Sequence, residues 1–227
     1  MATAVMLSII VPVLDEAEEI THHLRDLSAL RAQGHEVIVV DGGSQDATLA
    51  LCQGLADQVI SAPRGRARQM NAGAALARGE VLMFLHADTR LPVDALPALQ
   101  ACMAGGANWG RFDVVIEGRA ALLPVVSTLM NWRSRWTGVA TGDQAIFVRR
   151  RLFEALGGYL DQPMMEDIEL SRRLMRSGPP ACLRQRVRTS GRRWEQRGVW
   201  RTVLLMWHLR WRYWRGTSAE ELARAYR

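Results

Sequence analysis

Short apolar runs alternate with helically spaced apolar positions through the first half of the chain. Residues 6–11 predict a strand. Ile20, Leu24 and Leu27 then recur at helical spacing, and Gly34 supplies a stop. Val37, Ile38, Val39 and Val40 are consecutive, which suits a strand covered on both faces. A helix is predicted over 47–55, a short strand over 58–61, a helix over 66–76 and a buried strand over 81–85. Strands alternating with helices predict βαβ units and a mostly parallel sheet in an α/β fold.

The second half is less regular. Residues 108–116 and 145–149 read as strands, with a mostly apolar helix over 121–132 between them. Gly157-Gly158 breaks the chain, and a helix over 166–175 ends near Gly178. A long Arg/Trp helix is predicted over 199–214, and a last one starts at Ser218, an N-cap with Glu221 three residues on. No internal repeat or low-complexity tract is present.

Composition changes this picture in three ways. At 227 residues and 48% apolar, the chain fits one domain, or one domain with an appendage. The 29 basic and 23 acidic residues leave +6, concentrated in an Arg-rich, Trp-interleaved stretch over 184–215. Such a stretch suits nucleic acid, anionic lipid or a phosphorylated substrate, and composition does not choose among them. No run of eighteen apolar residues exists, and Pro12 and Asp15 interrupt the opening run, so neither a membrane span nor a secretory leader is expected. Cys52, Cys102 and Cys182 are odd in number and widely spaced, so a reduced, cytoplasmic chain is expected.

In parallel α/β sheets ligands gather at the carboxyl ends of the strands. Three polar clusters fall there: Asp15-Glu16, Asp41, and His86-Ala87-Asp88. Neither a G-x-G-x-x-G fingerprint nor a P-loop is present, which disfavours nicotinamide hydride transfer and P-loop ATP hydrolysis. His86 and Asp88 lie two residues apart, a spacing that points alternate strand side chains one way. An oxygen ligand there suits Mg²⁺ or Mn²⁺ on a diphosphate, and imidazole suits Mn²⁺ better. The plainer alternative is an Asp capping the loop before Pro92. Asp167, Leu170 and Leu174 share one face of the helix that Glu166 opens, so Asp167 is a candidate general base; equally, Glu166 and Asp167 complement the helix dipole. Arg64, Arg66 and Arg68 crowd a helix start, a pattern suited to a pyrophosphate or to a solvated basic face.

Taken in order, these motifs resemble the family 2 glycosyltransferases with the GT-A fold, from about Ser8 to Gly178. The stretch from Ile9 to Glu16 resembles the family's opening strand, with Asp15 where Asn is usual. Val40 to Asp46 matches the segment that holds the nucleotide base, with Gly42 in place of a frequent second Asp. Arg68 to Gly79, including Asn71 and Gly73, resembles the approach to the metal strand. His86-Ala87-Asp88 stands where the family carries Asp-x-Asp, which leaves Asp88 the firmer ligand, and Glu166-Asp167 stands where it carries its Glu-Asp pair. A narrower similarity, through 84–89, 141–144 and 190–194, is to small stand-alone bacterial transferases linked to radical-SAM gene neighbourhoods and arsenosugar biosynthesis.

The resemblance implies a GT-A nucleotide-diphospho-sugar transferase fold, with a mostly parallel mixed sheet flanked by helices. It implies a catalytic domain over 1–195 and a helical Arg/Trp-rich extension over 196–227. It implies inverting transfer from a nucleotide-diphospho-sugar to an acceptor hydroxyl, helped by Mn²⁺ or Mg²⁺. Asp167 is then the base, with Glu166 ordering it or binding sugar hydroxyls. Asp88 and His86 meet the metal; Pro12, Glu16, Asp41, Arg68 and Asn71 meet the nucleotide. Asp143, Gln144, Arg192, Arg193 and Trp194 face the donor sugar or the acceptor. The tail would pack on the domain, pair with a second copy, or lie on the inner face of the membrane. No nucleic acid is expected as partner, because the strand-end carboxylates would repel phosphate. A sugar-nucleotidyltransferase, a nucleic-acid-binding module and a catalytically dead binding protein are the competing readings.

Overall fold

The computed structural model describes residues 5–226. Strand β1 (Leu7–Val13) is buried at every position, as is β2 (Glu36–Asp41), because parallel neighbours and helices cover both. After β1 come α1 (Ile20–Asp26) and α2 (Ser28–Ala32), then β2, α3 (Thr48–Cys52), β3 (Gln58–Ser61), α4 (Arg66–Leu76) and β4 (Val81–Phe84). The chain continues through β5 (Thr89–Arg90), α5 (Ala95–Ala104), β6 (Trp109–Glu117), α6 (Leu123–Thr137), β7 (Ile146–Arg149) and α7 (Arg150–Ala155). It closes with α8 (Glu166–Leu174), β8 (Ala181–Ser190), α9 (Arg192–Arg197), α10 (Val199–Trp214) and α11 (Ala219–Tyr226).

The described strands form one sheet in the order β3-β2-β1-β4-β7-β6-β8-β5. β1, β2, β3 and β4 run parallel, β7 is antiparallel to both neighbours, and β6 and β8 are parallel. The chain winds outward from β1 through β2 to β3 and then returns to β4 on its other side. That reversal opens a crevice at the carboxyl ends of β1 and β4. Two apolar cores lie on the sheet's faces, one under α1 and α5, the other under α4, α7 and α8. α4 sits close to the sheet because position 73 is Gly; a β-carbon there would lie 2.6 Å from the Ile10 Cγ2.

α6 inverts the usual burial of an amphipathic helix. Ser127, Asn131 and Ser134 are its buried face, while Val125, Leu129, Trp132 and Trp136 are exposed. The reason is β6, whose backbone pairs with this polar seam. Asn131 accepts the Val114 N–H and donates to the Val114 carbonyl, each at 2.9 Å, and Ser127 accepts the Ile116 N–H at 2.9 Å. The apolar helix expected over 121–132 is present, but turned apolar side out.

β8 was not expected: its run of arginines masked the alternation that buries Val187 and Thr189 and exposes Arg184, Arg186 and Arg188. α10 and α11 rest on the start of α8, with Leu209 and Leu222 fully buried against Met165 and Ile168. Among the described residues no helix is long and apolar enough to cross a membrane.

Candidate active site

A cleft of about 1440 Å³ opens over the ends of β1 and β4. Its walls are the start of α4, the turn over Gly142–Gln144, the start of α8, and the inner sides of α6 and α10. Pro12, Glu16, Arg68, His86, Asp88, Asp143, Glu166, Asp167, Arg192 and Trp194 all line it. Three residues expected at the site do not: Asp41, Asn71 and Gln144.

Each of those three side chains is engaged elsewhere. The Asp41 carboxylate accepts the N–H of Gly43 at 3.0 Å, that of Ser44 at 3.1 Å and the Ser44 hydroxyl, closing the loop after β2 on itself. Asn71 pairs both amide atoms with the Tyr159 backbone, at 2.8 and 2.9 Å, tying α4 to the segment before α8. Gln144 is wholly buried and donates to Asn131 at 3.3 Å. The expected convergence of three strand-tip carboxylates is therefore reduced, since Asp41 sits in its own loop and not in the cleft. The side chain of Arg193 lies outside the described residues.

The loops after β1 and β2 are knitted together. Asp15 adopts φ +54°, a left-handed conformation that Asp and Asn tolerate better than most residues. Its carboxylate accepts the Gln45 N–H at 2.7 Å, while the Thr48 hydroxyl accepts the Glu16 N–H at 2.8 Å. Gln69 completes this corner by donating to the Val13 and Val40 carbonyls, both at 2.8 Å. A β-carbon at position 42 would lie 2.9 Å from the Gln69 amide, which explains why glycine stands there. Sequence reading missed Gln69, although its place four residues after Gly65 and inside a helix start was visible.

Electrostatically the floor is acidic. Burial raises the Glu16 pKa, and the neighbouring Asp88 charge raises it further against the opposing pull of Arg192 and Arg66. Arg192 stands 3.9 Å from Glu16 and 3.6 Å from both Glu18 and Glu19. Arg68 pairs with Asp161 at 2.8 Å on the open rim. His86 lies beyond the end of β4, not within it, so the strand alternation invoked for His86 and Asp88 does not apply. Its Nδ1 lies 3.4 Å from the Asp143 carboxylate, and its ring packs on Gly142, where a β-carbon would lie 2.5 Å away.

Met165, at φ +64°, turns the chain sharply into α8 and presents Glu166 and Asp167 to the cleft. Asp167 accepts the Gly142 N–H at 2.9 Å and the Ile168 N–H at 2.7 Å, which fixes its carboxylate. Glu166 is the more deeply buried of the two, and burial followed by the Asp167 charge raises its pKa. The folded state thus holds the Glu166 proton more tightly than the unfolded chain, so stability falls as pH rises from the ordinary glutamate range through the raised value. Glu166→Gln is expected to raise the melting temperature at pH 8 by a few degrees, about 2–4 °C per kcal/mol relieved. Melting curves should show the gain shrinking as pH falls towards 4.5, the ordinary value; a gain independent of pH would contradict the buried-charge account.

Two cleft residues escaped sequence reading altogether. Arg133 on α6 and Arg210 on α10 reach in beside Asp167, and burial lowers the pKa of both, Arg133 to about 10. Nothing in the local pattern distinguishes them from the surrounding surface arginines.

Among the described residues no three His, Cys, Asp or Glu side chains form a ready metal cage. Asp88 still offers a hard oxygen ligand, and its mutual repulsion with Glu16 is what a cation would relieve. Mg²⁺-type sites commonly take one or two carboxylates and complete their shell with substrate phosphates, so Asp88 fits such an ion.

Comparison with known proteins agrees with this fold. An undecaprenyl-phosphate 4-deoxy-4-formamido-L-arabinose transferase of Pseudomonas fluorescens is 31% identical over 160 residues, 63% of this chain; the chain spans 45% of that relative's length. Staphylococcus aureus TarS in complex with UDP superposes with a TM-score of 0.64 at 19% identity, over 82% of this chain and 60% of that one. The mannosyltransferase PcManGT of Pyrobaculum calidifontis, in complex with GDP-Man and Mn²⁺, gives 0.62 at 20%, over 82% and 57%. The fold is thus of the GT-A type. The model for "Glycosyl transferase family 2" matches residues 8–156, from β1 through α7, and the chain belongs to that family.

Proposed function

We propose that this chain transfers a sugar from a nucleoside-diphosphate donor to an acceptor hydroxyl, with inversion at the anomeric carbon. One observation carries the reading: Asp88 and Asp167, on separate elements, face one cleft whose rim holds Arg64, Arg66 and Arg68. Asp167 takes the acceptor proton as the hydroxyl oxygen bonds to the anomeric carbon and the nucleoside diphosphate departs. The backbone N–H groups of Gly142 and Ile168 hold that carboxylate in place for the task. Asp88 would hold a divalent ion, which neutralises charge on the departing diphosphate. His86, engaged with Asp143, positions the turn over Gly142–Gln144 beneath the base. Pro12, Glu16 and Arg68 border the nucleotide end, Asp41 and Asn71 support the loops that shape it, and Trp194 and Arg192 border the acceptor end. Residues 1–195 are the catalytic domain in this reading, and the helical extension adds Val203, Met206 and Arg210 to the wall of the cleft. The similarity around 84–89, 141–144 and 190–194 makes membership of the subfamily linked to radical-SAM neighbourhoods and arsenosugar biosynthesis the finer form of this reading.

A thermal-shift screen of nucleotide-sugars, with and without Mn²⁺, tests the proposal. A ligand that binds only the folded chain raises its stability in proportion to the logarithm of concentration over Kd. Stabilisation by at least one UDP- or GDP-sugar, greater with Mn²⁺, is expected. No shift with any nucleotide-sugar would remove the basis for transfer.

The exposed side of α10 supports membrane contact as part of this function. Trp200, Leu204, Trp207, Trp211 and Trp214 form an exposed apolar stripe at helical spacing, with Arg201 alongside and Arg215 over the Trp211 ring. Aromatic and basic side chains so arranged suit an interface with anionic lipid, on the inner face of the membrane. Co-sedimentation with anionic vesicles is expected for the full chain, and a Trp200→Ser, Trp211→Ser, Trp214→Ser variant should stay in the supernatant. Equal pelleting of both would reject the stripe as the contact; a concentration-dependent dimer lost in the variant would assign it to a second copy.

A further inference from the structure

The transfer chemistry leaves two guanidinium groups in the cleft without a task. Arg133 projects from α6 and Arg210 from α10, and both line the cavity close enough to Asp167 to feel its charge. The Nε and Nη2 of Arg133 and the Nε of Arg210 are buried, and none meets an acceptor among the described residues. Burying charged donors without partners is costly, and here two lie near enough for each to repel the other. The charge of Asp167 favours both arginines and that of Asp143 favours Arg210, but no acceptor oxygen among the described residues bonds these three nitrogen atoms. The pair is therefore built to receive an anion that is not part of the chain.

We propose that Arg133 and Arg210 form a phosphate-binding subsite for the sugar acceptor, so that the acceptor is a phosphorylated hydroxyl compound. The inference rests on the cleft being the site of sugar transfer. Two guanidiniums match the charge of a phosphate monoester, and the guanidinium fork suits its oxygens. The donor diphosphate has its own cations on the opposite wall, where Arg66 on α4 acts on Glu16 and Glu166. The subsite's rim is apolar, with Leu129 and Trp132 from α6 and Met206 and Trp207 from α10. Such a rim accepts an amphiphile with a phosphate head, while a small soluble phosphate ester offers the same group to the same arginines.

The test titrates the full chain, held with Mn²⁺ and whichever of UDP or GDP binds, with two matched pairs: octyl phosphate against octanol, and glycerol 3-phosphate against glycerol. The phosphorylated member of at least one pair is expected to bind about tenfold or more tightly than its neutral partner. Arg133→Gln and Arg210→Gln should each remove most of that preference and leave nucleotide affinity within about threefold, whereas Arg184→Gln on exposed β8 should keep it. A preference confined to the octyl pair assigns the phosphate to an amphiphile; one shared by both pairs assigns it to the phosphate itself. The proposal is overturned if neither phosphorylated probe outbinds its partner in the unaltered chain, a comparison that needs no variant to fold. It is equally overturned if the preference survives in both Gln variants. Failure of UDP and GDP to bind the unaltered chain would strike at sugar transfer itself, a distinct outcome.

Discussion

Asp167→Asn is expected to reduce turnover by ~10²–10⁴-fold while nucleotide-sugar affinity stays near that of the unaltered chain, because general-base help to an attacking hydroxyl is typically of that size. The substitution keeps the shape and one acceptor oxygen, so the Gly142 N–H at 2.9 Å retains a partner and the turn keeps its place. What disappears is the capacity to accept a proton. Single-turnover rates together with donor titrations separate the two effects: a large fall in rate at constant donor affinity marks a group acting in the transition state. Near-normal turnover would reject Asp167 as base. It would also turn attention to Glu166, the next carboxylate in reach, whose pKa is raised by burial and by the Asp167 charge and which is the stronger base when ionised.

Asp88→Ala should abolish the Mn²⁺-dependent part of donor binding and lower turnover by at least ~10²–10³-fold, corresponding to several kcal/mol of charge stabilisation on the departing diphosphate. The same change removes the charge that raises the Glu16 pKa, so the variant should be no less stable than the parent when free of nucleotide. That combination, a lost metal response with an intact melting temperature, distinguishes a ligand from a structural loop residue. A variant that keeps its full Mn²⁺ response would place the cation elsewhere, with His86 and Asp143 the next pair to examine.

The arrangement of α6 links these expectations to the acceptor. A helix that buries serines and an asparagine against β6 has its apolar and basic positions left for the cleft. Arg111 strengthens this seam: it is fully buried, bonded to Asp113, to the Ser134 hydroxyl at 3.0 Å and to the Asn131 carbonyl at 3.1 Å. The polar contacts therefore orient Leu129, Trp132 and Arg133 as a group. Acceptor specificity and the stability of this wall rest on the same helix.

The parallel half of the sheet and the order of the motifs along it were legible in the amino-acid pattern alone. Four-residue apolar runs such as Val37 to Val40 leave few alternatives to a strand buried on both faces, and the helix over 66–76 and the strand over 58–61 fall at their expected bounds. Local pattern also put Asp88 just past a buried strand and Asp167 at a helix start, but left open what either carboxylate faces. Which polar residues share the cleft depended on how the elements pack and on where each side chain finds its partner. Asp41 turns into its own loop, Asn71 bonds to Tyr159 and Gln144 lies buried beside Asn131, contacts between residues up to 88 positions apart. The alternation in β8 was hidden by its arginines, because an exposed strand face can carry charge as readily as a helix can. Arg133 and Arg210, 77 positions apart in number, become a pair only when α10 folds back over α8. Periodicity reports which face of an element is buried; it carries no information about which elements then meet, and that meeting is where this cleft acquires its cations.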